Sequence, residues 1–151
     1  MGAVADGALS QRGEVIGVIP KSLMEKKLGH GGVTELHVVN SMHERKQMMV
    51  DLSDGFIALP GGFGTLDELF ETLTWLQLSF HDKPVALLNV GGFFDGLIDF
   101  IAHMSRSGFL KPEHAACVLV ENEPEQLLAS MAAFSPPDLG KWIEKLAAEA
   151  R

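Results

Sequence analysis

Cysteine is nearly absent from this sequence: Cys117 is the single one in 151 residues. A lone thiol excludes a disulfide framework and fits a reducing, cytoplasmic setting. Within the apolar run HAACVLV it reads as buried packing and not as a catalytic nucleophile. Long apolar runs are also absent. No stretch reaches the length of about 18 to 20 residues that crosses a bilayer. The opening MGAVADGALS has no basic region followed by an apolar segment, so neither an export signal nor a membrane partner is expected. Positive charge is scarce, with 12 Lys and Arg against 20 Asp and Glu and a net charge of −8. That balance opposes non-specific nucleic-acid binding, which depends on clustered cations neutralising phosphates. A phosphate held by such a chain must be gripped locally, chiefly by backbone. There is no internal repeat. The 16 glycines and seven prolines fall mostly at the edges of apolar runs, which describes a folded chain with many tight turns.

What is present has the rhythm of an α/β protein. EVIGVIP (14–20), ELHVV (35–39), GFIALP (55–60), KPVALLNV (83–90) and ACVLV (116–120) are short runs rich in β-branched residues, ended by Gly, Pro, Asn or acidic residues. Longer patterned segments alternate with them. The order strand, helix, strand, helix predicts a parallel sheet with helices on both faces, in one domain spanning 1–151. In such sheets ligands bind outside the carboxyl ends of the strands. A last helix-like segment, DLGKWIEKLAAEAR, follows Pro136-Pro137, with Trp142, Ile143, Leu146 and Ala150 on its apolar side. It reads as a docking tail without chemistry.

On a helical wheel, the segment 41–53 (SMHERKQMMVDLS) places Met42, Arg45, Met48, Met49 and Leu52 in one sector, opposite His43, Glu44, Gln47 and Asp51. Arg45 lies inside the apolar stripe, where a cation is costly unless something anionic meets it. Two readings follow: a structural ion pair, or a guanidinium aimed into a ligand pocket. Lys46 sits at the edge of the stripe, where an exposed, snorkelling lysine is the default.

The stretch LPGGFGTLDELFETLTWL (59–76) has the form strand, glycine turn, helix. Glycines at 61, 62 and 64 permit positive φ and leave no side chains between a ligand and the amides. With a helix starting at about Thr65, the free N–H groups and positive dipole end of its first turn make an anion site. No Lys follows the last glycine, so this is not a Walker loop, and the dinucleotide spacing is absent. Thr65 and Glu68 also match a capping box, as Ser41 and Glu44 do, so spacing alone leaves Glu68 as a cap or a catalyst. Leu66, Leu69, Phe70, Leu73, Leu76 and Phe80 form the apolar face of this helix, and Glu68 and Trp75 project away from it. A tryptophan beside an acid there is a pocket wall, a subunit contact or a lone surface aromatic.

MHERK (42–46) followed by LPGGFGTLDELFE (59–71) resembles the Lonely Guy (LOG) family of cytokinin-activating enzymes, whose hallmark is PGGxGTxxE preceded by an HERK-type helix. The likeness extends through MGAVADGAL, GEVIGVIP, TELHVV, LSDGFIALP, LTWLQL, KPVALLNV and GFL, to about residue 130. It implies a Rossmann-like fold, usually in a homodimer. It also implies a phosphoribohydrolase that cleaves the N-glycosidic bond of a nucleoside 5′-monophosphate, typically an N6-modified adenylate, giving free base and ribose 5-phosphate. Arg45 and Glu68 match the family's catalytic positions; Gly61, Gly62, Gly64 and Thr65 match its phosphate loop, and Met42 and Lys46 fall among the substrate-binding positions. An oxocarbenium-like state needs a carboxylate near the ribose, to stabilise charge or orient water, and the helix N-terminus favours Glu68 ionised. Arg45 is then expected to hold Glu68, the phosphate or the ribose hydroxyls. No cofactor or metal is implied. The histidines at 30, 37, 43, 81, 103 and 114 lack ligand spacing and read as scattered surface or capping residues. A lysine decarboxylase, a label relatives of this family have carried, needs a Schiff-base lysine and a partner for the pyridine nitrogen of its cofactor, and no segment supplies them. Met1-Gly2 matches an internal Met-Gly of the family, so the first strands of the family's sheet are expected to be missing from this sequence.

Overall fold

The computed structural model describes residues 2–26 and 29–137. The sequence-based helix after Pro137 lies outside the described residues. The chain divides into two compact units, residues 1–53 and 54–151.

The first unit runs α1 (Gly2–Ser10), β1 (Ile16–Pro20), the one-turn α2 (Lys21–Met24), β2 (Glu35–Val39) and α3 (Met42–Leu52). β1 and β2 pair in parallel, from Ile16 opposite Glu35 to Pro20 opposite Val39, and α2 and α3 pack on them. α3 begins where the sequence places it. Ser41 is its N-cap and accepts from the Glu44 amide at 3.1 Å. The Glu44 carboxylate reaches one residue further back than a standard box, to the Asn40 amide at 2.8 Å. The expected stripe is rotated. Val50 is the buried residue, with Arg45, Lys46, Met48 and Met49 half-buried, whereas Met42 and Leu52 are exposed. A two-stranded sheet covers only a narrow strip of helix, and here the strip runs along Lys46 and Val50, spaced one turn apart. Lys46 is therefore not the exposed lysine expected.

The second unit runs β3 (Phe56–Ala58), α4 (Phe63–Gln77), β4 (Val85–Leu88), a 3-10 turn (Val90–Gly92), α5 (Asp95–Arg106), the one-turn α6 (Pro112–Ala115), β5 (Val118–Glu121) and α7 (Pro124–Ala132). Its sheet has the order β3-β4-β5 with both pairings parallel. All five described strands thus lie in parallel pairs flanked by helices, the α/β, Rossmann-like character expected. β4 is central, and Val85, Ala86 and Leu87 are buried, which is why VALL is apolar without alternation. Leu69 and Leu76 of α4 join Val85, Leu87, Phe94 and Cys117 in one core cluster. Each such side chain contributes about 1.5 to 3 kcal/mol by leaving water. Phe70 and Phe80 depart from the expected face of α4: Phe70 is partly exposed and Phe80 is 72% exposed. The helix ends at Gln77, and Ser79, at φ 58°, turns the chain before Phe80 completes the stripe.

Two histidines are not surface residues. His114 is buried, and His81 is half-buried against the Phe56 ring, with centroids 5.4 Å apart. Burial lowers the proton affinity of both below the ordinary imidazole value. Between that lowered value and about 6.5, the unfolded chain binds more protons than the folded one. Stability is therefore present above about pH 6.5 and is lost as the pH falls through the folded-state values. The urea midpoint is expected to rise from pH 5 to about pH 7 on this account and then flatten, and a midpoint highest at pH 5 would contradict it.

Candidate active site

The predicted residues divide between the two units. The first carries Met42, Arg45 and Lys46 on α3; the second carries Gly61, Gly62, Gly64, Thr65 and Glu68 at the start of α4.

α3 follows the carboxyl end of β2 after two residues, so its first turns project from that end of the strand pair. Arg45 is fixed to the strands. Its Nε donates to the Val18 carbonyl of β1 at 3.1 Å, and Nη1 lies 3.7 Å from the Met42 sulfur. One edge of the guanidinium is thereby committed to backbone, which sets the direction of the remaining N–H fork. The Met42 side chain, 44% exposed, is the thioether flank of this arginine.

In the second unit, α4 starts earlier than the sequence suggests. Gly62 is its N-cap, with φ −97° and ψ −153°, and the first intrahelical bond runs from Leu66 N to the Gly62 carbonyl at 3.2 Å. The amides of Phe63, Gly64 and Thr65 thus have no partner within the helix. Thr65 is the third helical residue rather than the cap, and no side chain caps the helix. This removes the capping-box reading of Thr65 and Glu68. The loop lies at the carboxyl end of β3, and the half-buried Glu68 follows one turn after Gly64.

The clearance expected of the loop glycines is present but the positive φ is not; the described glycines with positive φ are Gly91, Gly92 and Gly108. A Cβ on Gly61 would collide with the Thr65 hydroxyl, whereas one on Gly62 or Gly64 meets open space. Gly61→Ala is accordingly expected to destabilise the chain by about 1 to 3 kcal/mol, the usual range for forced overpacking. Gly64→Ala, inside the first turn of the helix, is expected to stabilise it by about 0.5 to 1 kcal/mol. Chemical denaturation of the two variants beside the parent chain checks both signs.

Sequence reasoning missed the neighbouring loop. Ala58 pairs with Leu87, so the chain leaving β4 rises beside the glycine loop on the same sheet edge. There the buried Asn89 accepts from the Phe94 amide at 2.7 Å and donates to Asp95 Oδ1 at 2.8 Å, bracing a turn that contains Gly91 and Gly92. The signal was an asparagine at the end of an apolar run, followed by two glycines.

A cavity of about 90 Å3 lies elsewhere, among Phe70, Leu73, Ile101, Met104, His114 and Cys117. No predicted site residue lines it, and ligand pockets of about 300 Å3 upward are the norm for nucleotide-sized molecules. Loop geometry, and not this cavity, is the better guide to the ligand. Among the described residues, no helix is long and apolar enough to cross a membrane.

The family model described as "Possible lysine decarboxylase" matches residues 1–131. The chain is 43% identical over 136 residues to the probable cytokinin riboside 5′-monophosphate phosphoribohydrolase of Oryza sativa subsp. japonica, covering 90% of this chain and 56% of the rice protein. It is 45% identical over 132 residues to the cytokinin riboside 5′-monophosphate phosphoribohydrolase of Rhodococcoides fascians, covering 87% and 67%. An Arabidopsis thaliana protein of the same name is 42% identical over 136 residues, covering 90% and 63%.

The chain belongs to the LOG family. It spans between half and two thirds of the length of these curated LOG relatives. The aligned span contains both the α3 residues and the glycine loop at the head of α4, so the LOG assignment and the local geometry rest on the same segments.

Proposed function

We propose that this protein hydrolyses the N-glycosidic bond of adenosine 5′-monophosphates, preferentially N6-modified ones, releasing the free base and ribose 5-phosphate. The carrying observation is the head of α4: three helix amides without intrahelical partners, in a loop bare of side chains at Gly62 and Gly64, with a half-buried carboxylate one turn on. That arrangement suits a phosphate monoester and an adjacent sugar. The names of the relatives, each a phosphoribohydrolase, point the same way.

In the proposed mechanism Gly61, Gly62, Gly64 and Thr65 hold the phosphate through backbone amides and the helix dipole. Glu68 works ionised, stabilising the oxocarbenium-like ribosyl group and orienting water. The C1′–N bond breaks, the water oxygen bonds to C1′, and the water proton ends on the departing base. Arg45 orients substrate oxygens through its planar guanidinium, and Met42 and Lys46 contact the substrate. No cofactor enters this scheme. We further propose that residues 1–151 act as one domain in a cytoplasmic homodimer. The 92% exposed Phe63 and 72% exposed Phe80 support a contact surface, because exposed large apolar groups mark interfaces.

Incubation with AMP or isopentenyladenosine monophosphate, followed by chromatography of the products, tests the reading. Stoichiometric free base and ribose 5-phosphate are expected. Tight binding without release would instead make the protein a nucleotide-binding module. Light scattering tests the dimer.

A further inference from the structure

We infer that His81 is a positioning residue for Glu68, clasping the carbonyl of Thr72, one turn beyond Glu68 on α4, to the chain that leads into β4. The inference rests on the role proposed for Glu68.

The His81 ring bridges two backbone groups. Its Nε2 lies 3.0 Å from the Thr72 carbonyl oxygen, and its Nδ1 lies 3.2 Å from the Lys83 amide nitrogen. A carbonyl only accepts and an amide N–H only donates. The one neutral tautomer that serves both therefore carries its proton on Nε2, donating to Thr72 and accepting from Lys83. Thr72 in turn is buried, and its hydroxyl donates to the Glu68 carbonyl at 2.7 Å. The chain of contacts runs from the strand-leading segment through His81 and Thr72 to the backbone of Glu68. It fixes the later turns of α4 relative to β4, and with them the carboxylate, which matters because displacements of about 1 Å at a reacting group cost orders of magnitude in rate.

Protonation would break one half of this clasp. A second proton on Nδ1 would face the Lys83 N–H, so that bond is lost while the Thr72 bond survives. α4 presents the uncharged Thr72 carbonyl and β3 presents the Phe56 ring. Burial is the largest influence and opposes protonation, the hydrogen bond to Thr72 favours it, and the charges of its own loop follow, Lys83 opposing and Asp82 favouring. The clasp is intact at neutral pH and opens in acid.

His81→Gln separates positioning from general scaffolding. A glutamine carboxamide can span the same two groups, its nitrogen donating to the Thr72 carbonyl and its oxygen accepting from the Lys83 amide, yet it does not titrate; His81→Ala removes both contacts. In hydrolysis of isopentenyladenosine monophosphate by the full chain at about pH 7.5, kcat of the alanine variant is expected to fall about tenfold or more, with KM within about threefold, while the glutamine variant keeps at least about a third of the parent kcat. Circular dichroism confirms that each variant is folded at the assay temperature. As the pH falls below about 6.5, into the range where a histidine of lowered proton affinity becomes charged, the parent kcat is expected to decline more steeply than that of His81→Gln. An alanine variant within twofold of the parent overturns the inference, as do superimposable pH profiles of the parent and His81→Gln. A parent chain that binds nucleotide but releases no base at any pH overturns the functional reading and this inference together; a parent that turns over alongside an unaffected alanine variant overturns this inference alone.

Discussion

Replacing Glu68 with glutamine is expected to lower kcat for base release by about a thousandfold or more, equivalent to about 4 kcal/mol of transition-state stabilisation. AMP affinity should stay within about threefold, because uniform binding of the phosphate does not involve the carboxylate. The substitution is nearly isosteric, so the side chain's volume is kept and its negative charge removed. The Thr72 hydroxyl bonds the backbone carbonyl of residue 68, not its side chain, and is undisturbed. In the proposed mechanism, what is lost is the anion that would face positive charge developing at C1′. A glutamine variant turning over within tenfold of the parent would show that the carboxylate is not the electrostatic partner of the reaction.

Arg45→Lys is the second large effect. It preserves charge and approximate reach, and by charge alone nothing should change. The geometry says otherwise. Arg45 is aimed by donation from Nε to the Val18 carbonyl, which leaves its outer nitrogens on a defined bearing. Lysine has no Nε donor at that depth and no fork, so it either serves the carbonyl or the substrate. A fall in kcat/KM of about 30- to 100-fold is expected, alongside a stability loss of about 1 kcal/mol for the lost Nε bond to Val18. Steady-state kinetics and denaturation on the same sample separate the two. A lysine variant with unchanged kcat/KM would reduce Arg45 to a structural strut.

Much of this was legible because burial and turn chemistry leave local marks. Each of the five described strands overlaps the apolar run that announces it, four lie wholly within theirs, β5 runs one residue beyond ACVLV to Glu121, and ELHVV matches residue for residue. The Ser41 cap of α3 was readable from spacing, since the hydroxyl and the Glu44 amide belong to one short segment. The same spacing at Thr65 and Glu68 misled. Gly62 took the cap three residues earlier, less than one turn, and a glycine cap leaves no side-chain signature to read. The rotated face of α3 was unreadable for another reason: which side of an amphipathic helix is covered depends on the width of the sheet beneath it. His81 also left no mark in spacing. Its two partners are backbone groups nine residues before and two after it, and backbone partners have no residue identity to read.

The solitary thiol has a use beyond packing. Cys117 is 4% exposed, and desolvation raises its proton affinity, so it is both shielded and reluctant to form the reactive thiolate. A thiol-directed dye added to the intact protein must then wait for the interior around β5 to breathe open, and its capture rate clocks that breathing. Because no other sulfhydryl in these 151 residues competes for the reagent, this chain carries a built-in stopwatch for its own transient opening, with no engineered label required.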